Sequence, residues 1–490
     1  MKTYRVIAAL LAIVMLLGMF SGCSKNGSET TDPANPSNNP GTKTETNDEK
    51  AASTSKYAYQ AEYLPIPDNV QYVNTSTISG SNLYFTGSII DGKKTYTDEN
   101  GEETEYDNYR SALFKMDVET GNCTELTEFQ LPEVPEGWLG SSDLNNLQSG
   151  ADGTLWAIYN NYTYRYNPPA DLAEDDSMYN YYEEGENKTG LLHLDADGKE
   201  LNRIEFSQTD EDGNSFYVSS FFVDNSGNVY LSDWQNVYIY DQDGNKKTTV
   251  DLGENGGELC ELKAGVVGVC YYKNDEAKPE ESGRVFQEID PATGKLTGDT
   301  VKIPDSAYNF FPGDDVYDIY YDYNGNIYGY KFDTDTKDKV IDWIECDINS
   351  NNLNSYSILP DGRVIAFENT YDDQTQTNTM QLIVMTRVDA ASVVNKTVLT
   401  FACMYLDWNM RDAIVKFNRA SNTHRIVVRD YSEYNTDDDY TAGIQKLNTE
   451  MLSGKLPDMI DINTYSMPIE QYAAKGFLTD LYELIDADAD

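Results

Sequence analysis

Residues 225–233 read NSGNVYLSD, a glycine turn that runs straight into alternating side chains. Val229 and Leu231 alternate with Tyr230 and Ser232, the period of two that sets one face of a strand against a core. The same plan recurs as SGSNLYFTG (79–87), ADGTLWAIY (151–159), YNGNIYGYK (323–331) and PDGRVIAFE (360–368), with a weaker copy, LKAGVVGVCYY, at 262–272. A second strand and a polar hairpin follow each copy, such as GLLHLDADGKELNRI after the copy at 151 and DWIECDINSNNLNSYSI after the copy at 323. Asp-Gly and Thr-Gly supply the positive φ that tight hairpin turns require. Each unit offers about four short antiparallel strands, and alone it has an uncovered face and raw edges; radial stacking covers the faces and leaves only short edges.

The unit plan, D-x-x-G-x-x-Y followed by Y-x-x-D-x-x-G, resembles the β-propeller blades common in secreted proteins. The resemblance implies a mainly β domain over 57–395 with six blades. Seven blades also fit the count, and a stack of hairpins in a β-sandwich is the competing architecture. Insertions near 91–110 and 168–189 lengthen two blades. The last blade ends early, after MQLIVMTRVDA (380–390), and YAYQAEYLPIP (57–67) reads as a spare outer strand that completes it and closes the ring.

From Lys396 to Asp490 the period changes. Short apolar runs at Val398–Met404, Ile426–Val428 and Met459–Ile462 read as strands. Between them Met410, Ile414 and Phe417, then Ile444, Leu447, Met451 and Leu452, recur at helical spacing. Asp407 or Asn409 is placed to cap the first helix, and Gly454 and Gly476 stand where helices end. Alternating strands and helices favour a parallel sheet, which binds ligands at the carboxyl ends of its strands.

The order of these words, LTFACMYLDWNMRDAIVKFNRAS, then HRIVVRDY, then IQKLNTEMLSGKLPDMIDINTYSMPIEQYAAKGFLTDLYELI, resembles the opening of the extracellular solute-binding proteins of bacterial ABC importers, the branch that mostly takes up sugars. SGKLPDMIDIN and YAAKGFLTDLYELI carry most of the likeness. It implies that 396–490 is an incomplete, periplasmic-binding-protein-like α/β lobe, the first part of a two-lobed domain, and that the chain is a piece of a longer protein. Partners implied are a sugar or oligosaccharide and the permease subunits; no cofactor is expected. By the same likeness, ligand contacts fall on Tyr405, Asp407, Trp408 and Asn409 after the first strand, and on Asn463, Thr464 and Tyr465 after the third. The competing reading packs Trp408 under its helix and leaves Asp407 as a cap alone.

At the other end, Lys2 and Arg5 precede an apolar run from Val6 to Phe20, then Ser21, Gly22 and Cys23, which is the layout of a secretory signal. Cys23 after Ser-Gly resembles the lipobox of bacterial lipoproteins, with Phe20 where Leu is usual. It implies lipidation of Cys23, export, and anchoring on the outer face of the bacterial cell membrane; a plain secretory signal is the alternative. Acyl chains anchor by about 0.8 kcal/mol per buried CH₂. Residues 24–56 have almost nothing apolar and read as a disordered tether spanning about 30 Å.

With 83 acidic against 36 basic residues the net charge is −47, which argues against nucleic-acid binding and against adhesion to anionic lipid by charge. The 38 tyrosines suit strand faces and core packing first. Once Cys23 is set aside, Cys123, Cys260, Cys270, Cys346 and Cys403 form no dense framework; a Cys260–Cys270 pair stays open. His193 and His424 are far apart in strand contexts, and His193 reads as a packed strand residue. No G-x-S-x-G, Walker loop or H-E-x-x-H appears. DADGKE (195–200) and DQDGNK (241–246) lack the full calcium-loop spacing and read as hairpin turns. The residues give no positive sign of an enzyme, so none is expected. Two functions stand: the solute-binding component of an importer with an accessory propeller, or a surface propeller that docks a glycan or a protein.

Overall fold

The computed structural model describes residues 57–487 apart from stretches at 98–102, 168, 170–176, 207–217, 234, 254–255, 264, 275–277, 279–281, 306, 324, 360, 373–376, 389–395, 437–438 and 463–466. The signal segment with Cys23 and the tether lie outside the described residues. The chain begins with β1 (Ala58–Pro65) and then builds four-stranded antiparallel blades. Blade one is β2 to β5 (Val70–Ser79, Asn82–Thr97, Glu103–Asp117, Cys123–Leu126). Blade two is β6, β7, β9 and β10 (Leu139–Ser149, Leu155–Tyr166, Lys188–Leu194, Glu200–Glu205), with β8 (Tyr182–Glu184) paired to the end of β7. Blade three is β11 to β14 (Ser220–Val223, Val229–Ser232, Asn236–Tyr240, Lys246–Asp251). Blade four is β15 to β18 (Glu258–Lys263, Val266–Lys273, Gly283–Asp290, Lys295–Lys302). Blade five is β19 to β22 (Tyr308–Pro312, Ile319–Tyr323, Asn326–Lys331, Thr336–Ile341). Blade six takes β23 to β25 (Leu353–Ile358, Val364–Asp372, Thr377–Val388) and borrows β1 as its outer strand.

The first strands of the six blades touch in sequence around the axis, β23 returning to β2, so the sheets form a closed six-bladed propeller. The expected closing strand is in place: β1 pairs antiparallel with β25 from Ala58 opposite Val388 to Pro65 opposite Gln381. Six apolar clusters fill the gaps, one between each pair of neighbouring blades. Between blades one and six the Phe85 ring lies 5.0 Å from both Phe114 and Phe367. Burying one such side chain contributes about 1.5–3 kcal/mol. Tyr84, Tyr159, Tyr230, Tyr317, Tyr320 and Tyr321 are likewise buried, in keeping with tyrosine used for packing.

One phase assignment needs correction. In five blades the glycine turn joins the first strand to the second, whereas Gly325, at φ 67°, joins the second and third strands of blade five. The inner strand β19 comes from YNFFP, and the turn after it is made by Asp314, whose carboxylate accepts from the Val316 and Tyr317 N–H groups and the Tyr320 hydroxyl. Residues 342–358, expected as a trailing strand and hairpin, are instead the connection between blades five and six followed by β23. Period two reports which face of a strand is buried and says nothing of its radial position.

The Asp-Gly turns are hairpins, as expected. Asp195 and Asp241 spend a carboxylate oxygen on backbone N–H groups of their own turns. Bonds from Lys199 and Asp197 hold the Asp195 carboxyl below its ordinary range, and bonds from Asn245 do the same for Asp241. Asp224 is the buried version. Its carboxylate accepts from the Ser226 and Asn228 N–H groups, the Asn228 amide and the Tyr230 hydroxyl, while Gly227 takes φ 75°. All five cysteines among the described residues are free thiols, Cys260 and Cys270 included.

Beyond the propeller, β26 (Thr397–Cys403), β27 (His424–Asp430) and β28 (Met459–Ile460) form a parallel sheet in the order β27-β26-β28. Helices α1 (Trp408–Ala420), α2 (Ala442–Leu452), α3 (Ile469–Ala474) and α4 (Leu481–Ala487) alternate with the strands or follow them. Gly454 and Gly476 end α2 and α3 at φ 89° and 69°. Buried Asn418 on α1 pairs both its amide groups with the Ile426 backbone, covering the outer edge of β27.

The blade five–six connection pegs this sheet to the propeller. Trp343 points into the cluster between blades five and six, while the next residue, Ile344, packs with Phe401, Leu406, Ile414 and Val415. Arg425 bonds the Asp347 carboxylate at 3.0 Å, and Arg419 donates to the Asp347 carbonyl at 2.7 Å. Arg419 also pairs at 2.9 Å with Glu368, which is 1% exposed. Lys339 reaches Glu433 at 2.8 Å.

Asp224→Ala strips four donors of their acceptor in a closed setting and is expected to lower the unfolding free energy by about 3 kcal/mol in urea titration, whereas Asp241→Ala, on the solvent side of the same blade, leaves the midpoint nearly unchanged. Arg419→Ala leaves Glu368 buried without its cation and is expected to cost about 3 kcal/mol by the same measurement.

Candidate ligand-binding site

The sheet order sets which strand ends stand side by side. The chain enters at the central strand β26, moves to β27 on one side, then crosses to β28 on the other. The chain thus changes side of the central strand between β27 and β28, and in α/β sheets the carboxyl ends of the strands at such a change are where ligands are taken. The loop after β26 carries Tyr405, Asp407, Trp408 and Asn409 at the carboxyl end of the sheet. The loop after β28 continues through Asp461 and Ile462; the expected contacts Asn463, Thr464 and Tyr465 lie outside the described residues.

Tyr405 is 75% exposed and Trp408 60% exposed, so Trp408 does not pack under its helix. Asn409 is exposed beside it. Asp407 does cap α1: its side chain accepts from the Met410 N–H at 3.0 Å. That bond spends one carboxylate oxygen and fixes the angle at which the helix leaves the strand, which aims Trp408 outward. Leu406, between the two aromatic residues, is buried in the cluster with Ile414 and Val415 and anchors the loop from below.

The segment after β27 adds groups that the sequence reading passed over. Tyr434 and Tyr440 are exposed there, on the same carboxyl side of the sheet. Their signal was position alone, since they follow the second strand as Tyr405 follows the first. Tyr431 is the buried support: its hydroxyl bonds Glu450 at 2.6 Å, and burial together with that bond pushes its phenol up to about 12. Gly443 lets α2 approach so closely that any Cβ would collide with the Tyr431 carbonyl. Asp430 and Asp439 cap their own turns through Ser432 and Thr441. The face thus presents aromatic rings and amides, with its carboxylates held in place by local donors.

The histidines stand elsewhere. His424 starts β27, at the opposite end of the strand from this face. His193 stacks on Trp156 at 3.8 Å, and burial lowers its pKa, with Asp152 opposing the shift. Among the described residues no group of three His, Cys, Asp or Glu is placed to hold a metal ion. Likewise among them, no helix is long and apolar enough to cross a membrane.

No family model matches the chain, and no curated protein does. Solved structures similar to it include the calcium-binding protein regucalcin from Agrobacterium tumefaciens, at 12% identity over 66% of this chain and 94% of that one, TM-score 0.30. A candidate exported protein of Bacteroides fragilis is similar at 11% identity over 68% of this chain and 96% of that one, TM-score 0.34. The six-bladed assignment rests on the strand pairing described above.

Trp408→Ala and Tyr405→Ala remove rings that face water, so thermal melts of both are expected to coincide with the parent. Asp407→Ala removes a helix cap and should cost about 1 kcal/mol.

Proposed function

We propose that the protein is the extracellular solute-binding component of an ABC importer, anchored by lipid at Cys23, with residues 396–490 as the first lobe of its binding domain and residues 57–395 as an accessory propeller. The observation that carries the reading is the exposed Tyr405–Trp408 pair at the carboxyl end of the central strand β26. An aromatic ring offers a flat apolar face to the C–H face of a sugar, and the adjacent amide of Asn409 suits its hydroxyls. Apolar surface on the same segment also supports it: Leu452, Ile462, Leu481, Tyr482 and Ile485 are all exposed, as suits a lobe that packs against further structure. The peg at Ile344 and the Arg419–Glu368 pair tie the segment to blades five and six, so the propeller fixes the orientation of this face relative to the blades.

Thermal melts of the protein in a panel of mono- and oligosaccharides test the reading. A true ligand at a hundred times its Kd adds about 2.7 kcal/mol by mass action, a shift of several degrees that Trp408→Ala should abolish. No shift with any sugar, or a shift that Trp408→Ala leaves intact, would sink it.

A further inference from the structure

Blade two carries four tyrosines on one face of its extension. Along β7, Trp156 and Ile158 are buried against blade three, and Tyr162, Tyr164 and Tyr166 continue the same face toward the end of the strand. β8 adds Tyr182 directly across the ladder from Tyr166. The Tyr182 ring leans back along β7 and stacks on Tyr164, with ring centres 5.8 Å apart and planes 25° from parallel. Tyr162 lies 5.6 Å from Tyr164 as well, and the hydroxyls of Tyr162 and Tyr182 meet.

The frame that holds these rings stands on the opposite face of the same strands. Arg165 pairs with Glu183 through two parallel bonds, at 2.8 and 2.9 Å, and its guanidinium lies 4.5 Å over the Trp138 ring. The Gly185 N–H donates to the Thr163 carbonyl at 2.8 Å, and the Asn187 side chain accepts the Thr163 N–H at 2.9 Å. Gly185 sits so close to Thr163 and Trp138 that a Cβ would collide with both. The register of β8 on β7 is thereby fixed, and with it the place of Tyr182 over Tyr164.

Tyr162 is 43% exposed and Tyr182 41% exposed, so solvent reaches both phenols. Among the described residues they are the one pair of exposed tyrosines whose hydroxyls meet. Phenols so placed have a chemistry that a single surface tyrosine lacks. A phenoxyl radical carries unpaired electron density on the carbons ortho to its oxygen. Where two phenol oxygens touch, those carbons stand beside the contact. The locked register keeps each ring within reach of the other, which turns an encounter of two radicals into a step within one chain.

We propose that Tyr162 and Tyr182 are a site of oxidative modification, at which hydrogen peroxide acting through a peroxidase joins the two rings as dityrosine. Each phenol gives up one electron and its hydroxyl proton. The two radicals form one carbon–carbon bond between ortho positions, and the ring protons at those positions move to the oxygens and restore the phenols. The peroxide takes up the two electrons and two protons and leaves as two waters. The product is a covalent staple between β7 and β8. The site shares no residue with the face around Trp408, so it holds or fails apart from the solute-binding reading.

Treatment of the whole protein with a peroxidase and limiting hydrogen peroxide tests it. Dityrosine fluorescence is expected in chains that still migrate as monomers on a denaturing gel. Proteolytic mapping should find a joined species lighter by two hydrogens, with fragment spectra that place the bond on Tyr162 and Tyr182. Tyr162→Phe and Tyr182→Phe keep the ring and should each lose that species and its fluorescence, with melting temperatures held. Tyr109→Phe, at a ring 56% exposed whose hydroxyl meets no tyrosine, should keep both. The proposal is overturned if no joined species forms, if the bond falls on another tyrosine in place of either, if coupling survives either change to Phe, or if chains joined to one another are the main product.

Discussion

A four-stranded blade has two faces and can bury neither by itself. Each blade in this protein covers its faces only against the next, and the last gap is sealed by main-chain bonds between the first strand and the last, Ala58–Pro65 against Gln381–Val388. The rest of the molecule depends on that ladder. It brings Phe85, Phe114 and Phe367 from opposite ends of the domain into one cluster, and it leaves the inner strands in a ring with no free blade. The turn carboxylates make the ring possible in so acidic a chain, because many of them are spent on backbone donors of their own hairpins.

The α/β segment does not hang from the propeller by its chain connection alone. Two consecutive residues, Trp343 and Ile344, face opposite ways, one into the blades and one under the parallel sheet. Around them Arg419 and Arg425 satisfy the Asp347 and Glu368 groups that the contact removes from water. Burying charge is costly unless it is paired and hydrogen-bonded, and both conditions are met here. A consequence is that the carboxyl end of the parallel sheet inherits its orientation from blades five and six.

At the carboxyl end of the parallel sheet a stiff frame presents Tyr405 and Trp408 to water beside the Asn409 amide, and the nearby carboxylates are held by donors of their own turns. That frame is the Asp407 cap and the buried Leu406.

Local patterns were legible because they act over a few residues. Asp-Gly turns, the alternation in NSGNVYLSD, the Asp407 cap and the helix ends at Gly454 and Gly476 all follow from backbone geometry and side-chain period, so the strands, the helices and even the closing segment at 57–67 were readable in order. Blade five was not, because strand period carries no record of distance from the axis, and its glycine turn fell one strand further out than in its neighbours. The peg at Trp343–Ile344 and the exposure of Trp408 were decided only by the tertiary structure. Each depends on residues far apart in the chain, such as Arg419 with Glu368 or Ile344 with Phe401, whose meeting is set by the closure of the ring and the packing of the parallel sheet and leaves no mark on the sequence around them.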